Sequence, residues 1–349
     1  MAPQFKIDSR VIGNNQSPYV VAEISANHGG SLEKALSIME AAKSAGADAV
    51  KLQTYTADTM TIDHDGPGFY LEDGPWAGRT LYELYELAHT PWDWHQALFE
   101  KGRQLGIAVF STPFDQTSVD FLAQFDPPAY KIASFELVDI PLIEYVARTG
   151  KPMIMSTGMA DHEEISKAVQ AARGAGCEQV CLLICTSGYP TPPEEINLFR
   201  VPQFAKDFNV SVGISDHTLG TVASIGAVSL GACLIEKHFT LNRSDGGPDA
   251  EFSLEPDELA TLVANVRDTW RAVGSKSKTI TESELPQRCL RRSLYVVEDV
   301  SEREQLTLAN VRSIRPSFGL SPEHLPKVLG SVARVSIARG TPLTWDLIV

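Results

Sequence analysis

The sequence predicts an α/β protein, a (β/α)8 barrel followed by a small C-terminal domain. Short apolar, β-branched runs alternate with helical periodicity eight times. The runs are nearly continuous in apolar residues, as a parallel sheet covered on both faces requires. The alternation ends at a polar linker, beyond which the net charge changes sign.

The strand-like runs cover 19–25, 49–55, 107–113, 129–134, 152–158, 180–187, 210–216 and 233–240. Helical patterns such as SLEKALSIMEAAKSAG, HEEISKAVQAARGAG and TVASIGAVSLGA lie between them, several closed by a glycine stop. A last helix is expected over 255–273. Eight βα units in about 255 residues fit a closed barrel. An open doubly wound sheet is the competing architecture, but the first strand is not followed by Gly-x-Gly-x-x-Gly. The barrel is therefore assigned to 1–273, a linker (GSKSKTITESELPQ) to 274–287 and the small domain to 288–349. A segment that small has a marginal core of its own.

The chain carries a net charge of −14. Residues 288–349 hold nine Lys or Arg against six Asp or Glu, a net of +3, so residues 1–287 hold 21 against 38, a net of −17. That asymmetry points to a basic tail docking on an acidic body, and an acidic body argues against a nucleic-acid or membrane surface. Five cysteines are odd in number and lack zinc-type CxxC pairs; Cys181 and Cys185 read as small hydrophobes on a strand. The first residues, MAPQFKIDSRVIG, show no apolar signal region, and no apolar run reaches membrane-spanning length. The expected compartment is the reducing cytoplasm.

Barrel chemistry sits at the C-terminal ends of the strands. Those ends read Glu23 and Ser25; Lys51 and Gln53; Ser111 and Thr112; Lys131 and Ser134; Ser156 and Thr157; Cys185 and Thr186; Ser215 and His217; Glu236 and His238. Any one polar end could be a helix cap. Eight of eight, with two lysines and two histidines, point to an enzyme. The stretch GISDHTLG sets Ser215, Asp216 and His217 side by side, but neighbouring residues on a strand point to opposite faces, so a hydrolase triad is rejected. His217 and His238 end adjacent strands and can converge on one metal, with Asp249 or Glu23 as a further ligand. Lys51 and Lys131 in so acidic a chain imply a bound anion, with Ser134, Ser156 and Ser215 as added donors. A Schiff-base lysine is the alternative.

The stretches VAEISANHGG, VKLQTYT, FSTPFD, YKIASFE, MSTGM, CTSGYPTPPEEINL, GISDHTLG, EKHFT and GGPDAEFSLEP resemble, in that order, the sialic acid (nonulosonic acid) synthases. The tail RRSLYVVEDVSEREQLTLANVRSIRPSFGLSP…RVSIARGTPLTWDLI resembles their antifreeze-protein-like SAF domain, a β-clip fold. The resemblance implies condensation of phosphoenolpyruvate with an open-chain N-acetylated amino sugar, releasing phosphate and forming a nine-carbon 2-keto acid. It implies a divalent metal, typically Mn2+ with Mg2+ or Co2+ as substitutes, on His217 and His238. By motif, Lys51, Thr112, Lys131, Ser134, Ser156, Ser187 and Ser215 match phosphoenolpyruvate contacts. Ser187 stands where some family members carry Asn. Glu23 matches the strand-one acid, suited to proton transfer or to activating water, and Asp216 reads as structural. Gln53, Glu136, Tyr189 and Asp249 match positions around the sugar. Arg315, in SIRPSFGL, matches an arginine that reaches the other subunit's site in a domain-swapped homodimer.

The insertion TIDHDGPGFYLEDGPWAGRTLYELYELAHTPWDWH is too long for an ordinary βα loop. It reads either as a lid packed by Trp76, Tyr82 and Tyr85 or as a wall for the acceptor's acetamido and methyl groups. Its GPWAGRTLYELY resembles the pseudaminic branch of the family, whose acceptor is 2,4-diacetamido-2,4,6-trideoxy-L-altrose. The legionaminic and N-acetylneuraminic branches are the alternatives within the family. A metal-dependent aldolase and a non-catalytic carbohydrate- or ice-binding protein are the alternatives outside it.

Overall fold

The computed structural model describes residues 3–72, 74, 76–274 and 279–349. They form two compact units, Met1–Gly274 and Ser275–Val349. In the first, eight strands close into the expected barrel: β1 (Tyr19–Glu23), β2 (Ala49–Thr54), β3 (Ala108–Pro113), β4 (Tyr130–Ile132), β5 (Met153–Ser156), β6 (Val180–Cys185), β7 (Ser211–Asp216) and β8 (Leu234–His238). Each strand pairs in parallel with its sequence neighbour, and β8 closes the ring on β1.

Several strands stop earlier than their apolar periodicity. β1 ends at Glu23 because Ser25 adopts φ 47° and opens the 3-10 turn Ser25–His28. β4 ends at Ile132, and Ser134 leads into the turn Phe135–Val138. The polar residues just past these strands therefore sit on turns. The helices begin where side chains can satisfy their first amides. Ser31 Oγ accepts from the Lys34 amide, and Asp161 with Glu164 forms a reciprocal capping box. The last helix of this unit, Pro256–Val273, starts on Glu255 as its cap.

Alternation along the strands divides the core in two. Val50, Val109, Met155, Leu182, Ile214 and Ile235 face outward and pack on helix residues such as Ile38, Val146 and Leu262. Inward-facing Val21, Ala49, Phe110, Ala129, Ile154, Leu183 and Leu234 fill the barrel axis. An unexpected N-terminal hairpin, Gln4–Ile7 with Arg10–Gly13, adds Phe5, Ile7 and Ile12 to that axial cluster. Its signal is the alternation of Phe5 and Ile7 ahead of the first predicted strand. Gly213 completes the packing, since a Cβ there would sit 2.3 Å from the Leu234 carbonyl oxygen and 2.7 Å from Leu183 Cδ2.

Among the described residues the second unit has an antiparallel pair, Ser293–Val296 with Val311–Ile314, and a short helix, Leu325–Val328. Leu294, Val296, Leu306, Val311, Val328 and Leu343 build its core. Of the linker expected over 274–287, residues 275–278 lie outside the described residues; beyond them Pro286–Leu290 forms a 3-10 turn. All five cysteines are unpaired, and four are buried. Among the described residues no helix is long and apolar enough to cross a membrane.

Replacing Gly213 with Ala overpacks the axis at a point where backbone must move, at a cost of about 1–3 kcal/mol. The expected result is a Tm several degrees lower; an unchanged Tm removes the packing argument for this glycine.

Candidate active site

Moving two residues along each strand from the axial apolar layer leads to the next inward position. Val21, Ala49, Phe110, Ala129, Ile154, Leu183, Gly213 and Leu234 are followed by Glu23, Lys51, Thr112, Lys131, Ser156, Cys185, Ser215 and Glu236. All eight of the latter are buried. The pleat that fills the barrel with hydrocarbon at one level thus lines it with polar groups at the next.

Four of these groups carry charge. Lys51 Nζ lies 2.9 Å from Glu23 and 3.5 Å from Glu236, and Lys131 Nζ lies 3.3 Å from Glu236. Lys51 also donates to Thr112 Oγ1 at 3.1 Å, and Ser215 Oγ donates to Glu236 at 3.2 Å. Burial raises the Glu23 pKa despite Lys51, which favours a carboxylate able to take up a proton. Burial pushes Glu236 the same way, but the two lysines outweigh it and hold the group ionised. Lys51 stays above its ordinary value because two carboxylates overcome its burial, whereas burial wins at Lys131 and lowers it.

A hydroxyl cluster lies beside this layer. Ser134 Oγ accepts from the Gly158 amide at 3.1 Å. A Cβ on Gly158 would come within 2.3 Å of Ser187 Oγ and 2.8 Å of Ser134 Oγ, so the glycine leaves room for both hydroxyls. The hydroxyls of Ser156 and Ser187 are buried without a hydrogen-bond partner, as donors awaiting an anion would be.

His217 and His238 meet edge to face with ring centroids 5.4 Å apart. His217 Nδ1 bonds the Thr186 carbonyl at 3.0 Å, which sets the tautomer and leaves Nε2 as the lone-pair nitrogen. His238 Nδ1 is buried with no hydrogen-bond partner and lies 3.9 Å from Asp249. Among the described residues no three His, Cys, Asp or Glu side chains form a group that could hold a metal. Two imidazole nitrogens suit a divalent ion whose other positions are filled by water or substrate. The residues present therefore fit a metal with open positions.

Gln53 Nε2 donates to Glu23 and to Ser25 Oγ, both at 2.9 Å, and Ser25 in turn bonds Asp249. Tyr189 packs on His217 at 4.4 Å and near Phe252 at 5.3 Å and Trp76 at 5.6 Å. The Trp76 indole donates to the Pro248 carbonyl, tying the long loop after β2 to the one after β8. Tyr85 packs on Tyr55, whereas Tyr82 bonds Asp58 at the periphery. Within that loop, residues 73 and 75 lie outside the described residues.

The barrel thus gathers Glu23, Lys51, Thr112, Lys131 and Ser215 in one contact network. Ser134 and Ser187 cluster at Gly158, while Gln53, Asp249 and Tyr189 join the histidine side. Glu136 is on the turn after β4, with Oε2 buried and unpartnered and burial raising its pKa to about 7. Arg315 is exposed in the second unit, just after Val311–Ile314. Three polar strand ends face away: Ser111 bonds Thr54, Thr157 bonds the Leu183 carbonyl, and the Thr186 hydroxyl bonds the Glu195 carbonyl. Asp216 also faces away, paired with Lys237 at 3.2 Å. The sequence reading gave no role to Glu236, Ser25 or Phe252. Glu236 and Ser25 are accessible by alternation, two residues before His238 and two after Glu23; Phe252 is a loop residue with no periodic signal.

A closed (β/α)8 barrel with a buried lysine–glutamate layer, a hydroxyl cluster and an imidazole pair at the C-terminal ends of its strands has the layout of a barrel enzyme's active site. Residues 38–278 match the NeuB family and residues 291–349 the SAF domain, and the chain belongs to the NeuB family. It is 44% identical to a pseudaminic acid synthase of Campylobacter jejuni, covering 95% of this chain and 98% of that one. It is 35% identical to an N,N'-diacetyllegionaminic acid synthase of Legionella pneumophila, covering 96% and 95%. The crystal structure of an N-acetylneuraminic acid synthetase from Leptospira borgpetersenii, in complex with citrate, superposes with a TM-score of 0.74 at 30% identity, covering 82% and 95%.

Glu136 offers a pH test. A carboxyl with a pKa near 7 in the folded chain and its ordinary 4.5 unfolded binds more protons when folded. Its burial therefore costs little at pH 4, costs more as pH rises from about 4.5 to 7, and costs its full amount above about 7. Glu136→Gln should leave Tm unchanged at pH 4 and raise stability by about 1–3 kcal/mol at pH 8. An equal effect at both pH values contradicts the shift.

Proposed function

We propose that the chain condenses phosphoenolpyruvate with 2,4-diacetamido-2,4,6-trideoxy-L-altrose, releasing phosphate and forming a nine-carbon 2-keto acid, the reaction of a pseudaminic acid synthase. The carrying observation is 44% identity along nearly the whole chain to a pseudaminic acid synthase, against 35% to a legionaminic acid synthase. Residues 1–273 form the catalytic barrel in this reading and 288–349 its SAF domain, with 274–287 between them.

Lys51 and Lys131 bind the phosphate and carboxylate of phosphoenolpyruvate, with Thr112, Ser134, Ser156, Ser187 and Ser215 donating to the remaining oxygens. The unpartnered hydroxyls of Ser156 and Ser187 support that assignment. Gln53, Glu136, Tyr189 and Asp249 hold the sugar. C3 of phosphoenolpyruvate attacks the sugar aldehyde carbon, the new C–C bond forms, and positive charge develops at C2. Glu23, its carboxylate made more basic by burial, takes a proton from the water that adds to C2 and passes it to the alkoxide oxygen left by the aldehyde. The tetrahedral intermediate then collapses: the bond from C2 to the phosphate oxygen breaks, the C2 hydroxyl becomes the keto group, and its proton leaves with phosphate. When bound at His217 and His238, a divalent ion, Mn2+ in this proposal, supplies Lewis-acid polarisation of the aldehyde oxygen. Five unpaired cysteines support a reducing, cytoplasmic setting.

Phosphate release across a panel of six-carbon acceptors tests the assignment. The diacetamido trideoxy altrose should exceed N-acetylmannosamine in kcat/KM, and His217→Ala should lose at least a hundredfold in turnover. The reverse preference moves the chain to the N-acetylneuraminate branch, and full activity of His217→Ala removes the metal assignment.

The +3 charge of residues 288–349 against −17 for the remainder supports a swapped homodimer in which Arg315 serves the neighbour's barrel. Losing such a contact costs about 2–5 kcal/mol. Arg315→Ala should therefore lower kcat/KM more than tenfold, since about 1.4 kcal/mol is a factor of ten. Refolding Arg315→Ala together with His217→Ala should restore activity, because one barrel of the mixed dimer keeps its histidines and receives an intact Arg315. Mixed dimers without recovery exclude the swap.

A further inference from the structure

The outward faces of β7 and β8 pack against helices and are apolar until their last positions. Val212 and Ile214 on β7, and Ile235 on β8, belong to the hydrophobic layer between strands and helices. The next outward positions are Asp216 and Lys237, which are register partners and have no side-chain exposure at all. A buried ion pair costs more in desolvation than two well-packed apolar side chains would, so stability alone does not account for it. The positions differ in one further respect. Asp216 immediately precedes His217, and Lys237 immediately precedes His238.

The contacts of the pair fix the chain around those histidines. Asp216 Oδ1 accepts from the Thr218 amide at 2.9 Å and from its hydroxyl at 2.8 Å. Asp216 Oδ2 accepts from Ser224 Oγ at 2.6 Å and lies 3.2 Å from Lys237 Nζ. Lys237 Nζ also donates to the Thr218 carbonyl. Residues 216 and 218 are therefore both tied down on the far side of the sheet, and His217 between them projects the other way. The backbone of the two histidines is held as well. The His217 carbonyl accepts from the Thr191 amide at 3.0 Å and the His238 carbonyl from the Leu254 amide at 2.8 Å.

We infer that Asp216 and Lys237, with Thr218 and Ser224, form a positioning clamp that sets the spacing of the His217 and His238 imidazoles for a divalent cation. Neither clamp residue touches substrate or metal; each acts through the histidine that follows it. The inference rests on the metal reading of the histidine pair. Groups that orient metal ligands from behind characteristically change metal affinity by ten- to a hundredfold when removed.

The test is Mn2+ binding to the full-length protein without substrate, measured by calorimetry and by the electron paramagnetic resonance signal of free Mn2+, beside phosphoenolpyruvate binding without metal. His217→Ala is the control. If the parent does not bind Mn2+, or His217→Ala binds it as the parent does, the metal reading itself fails. With that reading intact, the double variant Asp216→Leu, Lys237→Met, which removes both charges together, should bind Mn2+ at least tenfold more weakly. It should retain phosphoenolpyruvate affinity within twofold and regain turnover as Mn2+ is raised. Ser224→Ala, a milder change, should weaken Mn2+ binding two- to fivefold and decides the matter if the double variant does not fold. Parent-like Mn2+ affinity in the double variant, or in Ser224→Ala when only that protein folds, overturns the clamp. So does a loss of phosphoenolpyruvate affinity as large as the loss of Mn2+ affinity.

Discussion

Lys51, Lys131, Glu23 and Glu236 are buried together at one level of the barrel axis, where an unpaired charge costs several kcal/mol. The layer is tolerable because it is neutral, two ammonium groups against two carboxylates. Removing any one member strands its partner, so the four residues behave as one unit. Neutrality also has a consequence for ligand binding. A layer with no net charge gives a multiply charged anion little net attraction beyond the local lysine contacts, so further positive charge beside it would strengthen the binding. Cation binding at His217 and His238, beside the same layer, would supply that charge. In the proposed reaction the lysine layer and the imidazole pair would then serve one electrostatic need together.

The apolar half of the barrel matters to the polar half. The N-terminal hairpin closes the axial cluster with Phe5, Ile7 and Ile12, so the charged layer has hydrocarbon beneath it. That burial keeps Glu23 basic and Lys131 depressed. An open lower barrel would admit water, screen the four charges and return these groups toward their ordinary values. A segment far from the chemistry therefore tunes it, through solvent exclusion rather than contact.

Much of this was legible in the sequence because strand alternation is a strong constraint. The eight βα units, the polar strand ends and the pairing of His217 with His238 all follow from periods of two and of about 3.6. The N-terminal hairpin is weakly marked in the sequence because its strands are four residues each and precede the regular alternation. Glu236 was seen as a strand end but given no part, since its role depends on which lysines lie across the axis, a fact of barrel closure rather than of local sequence. Ser111, Thr157 and Thr186 were grouped with the site although their hydroxyls bond elsewhere. Polarity at a strand end shows where a residue lies along the barrel, and only parity shows which way it points.

Parity also resolves the consecutive Ser-Asp-His of β7 and its following turn. Ser215 reaches inward to Glu236, Asp216 outward to Lys237, and His217 inward beside His238. Three residues that resemble one catalytic unit in the sequence are divided between two environments by the pleat. β8 repeats the arrangement, with Glu236 inward, Lys237 outward and His238 inward. The two strands therefore face each other as matched triplets whose inner members meet in the site and whose middle members meet behind it. Adjacent in the chain, the inner and middle groups answer to different demands. An inner residue must suit a ligand, while a middle one must hold its neighbours still in a medium that penalises any unpaired charge.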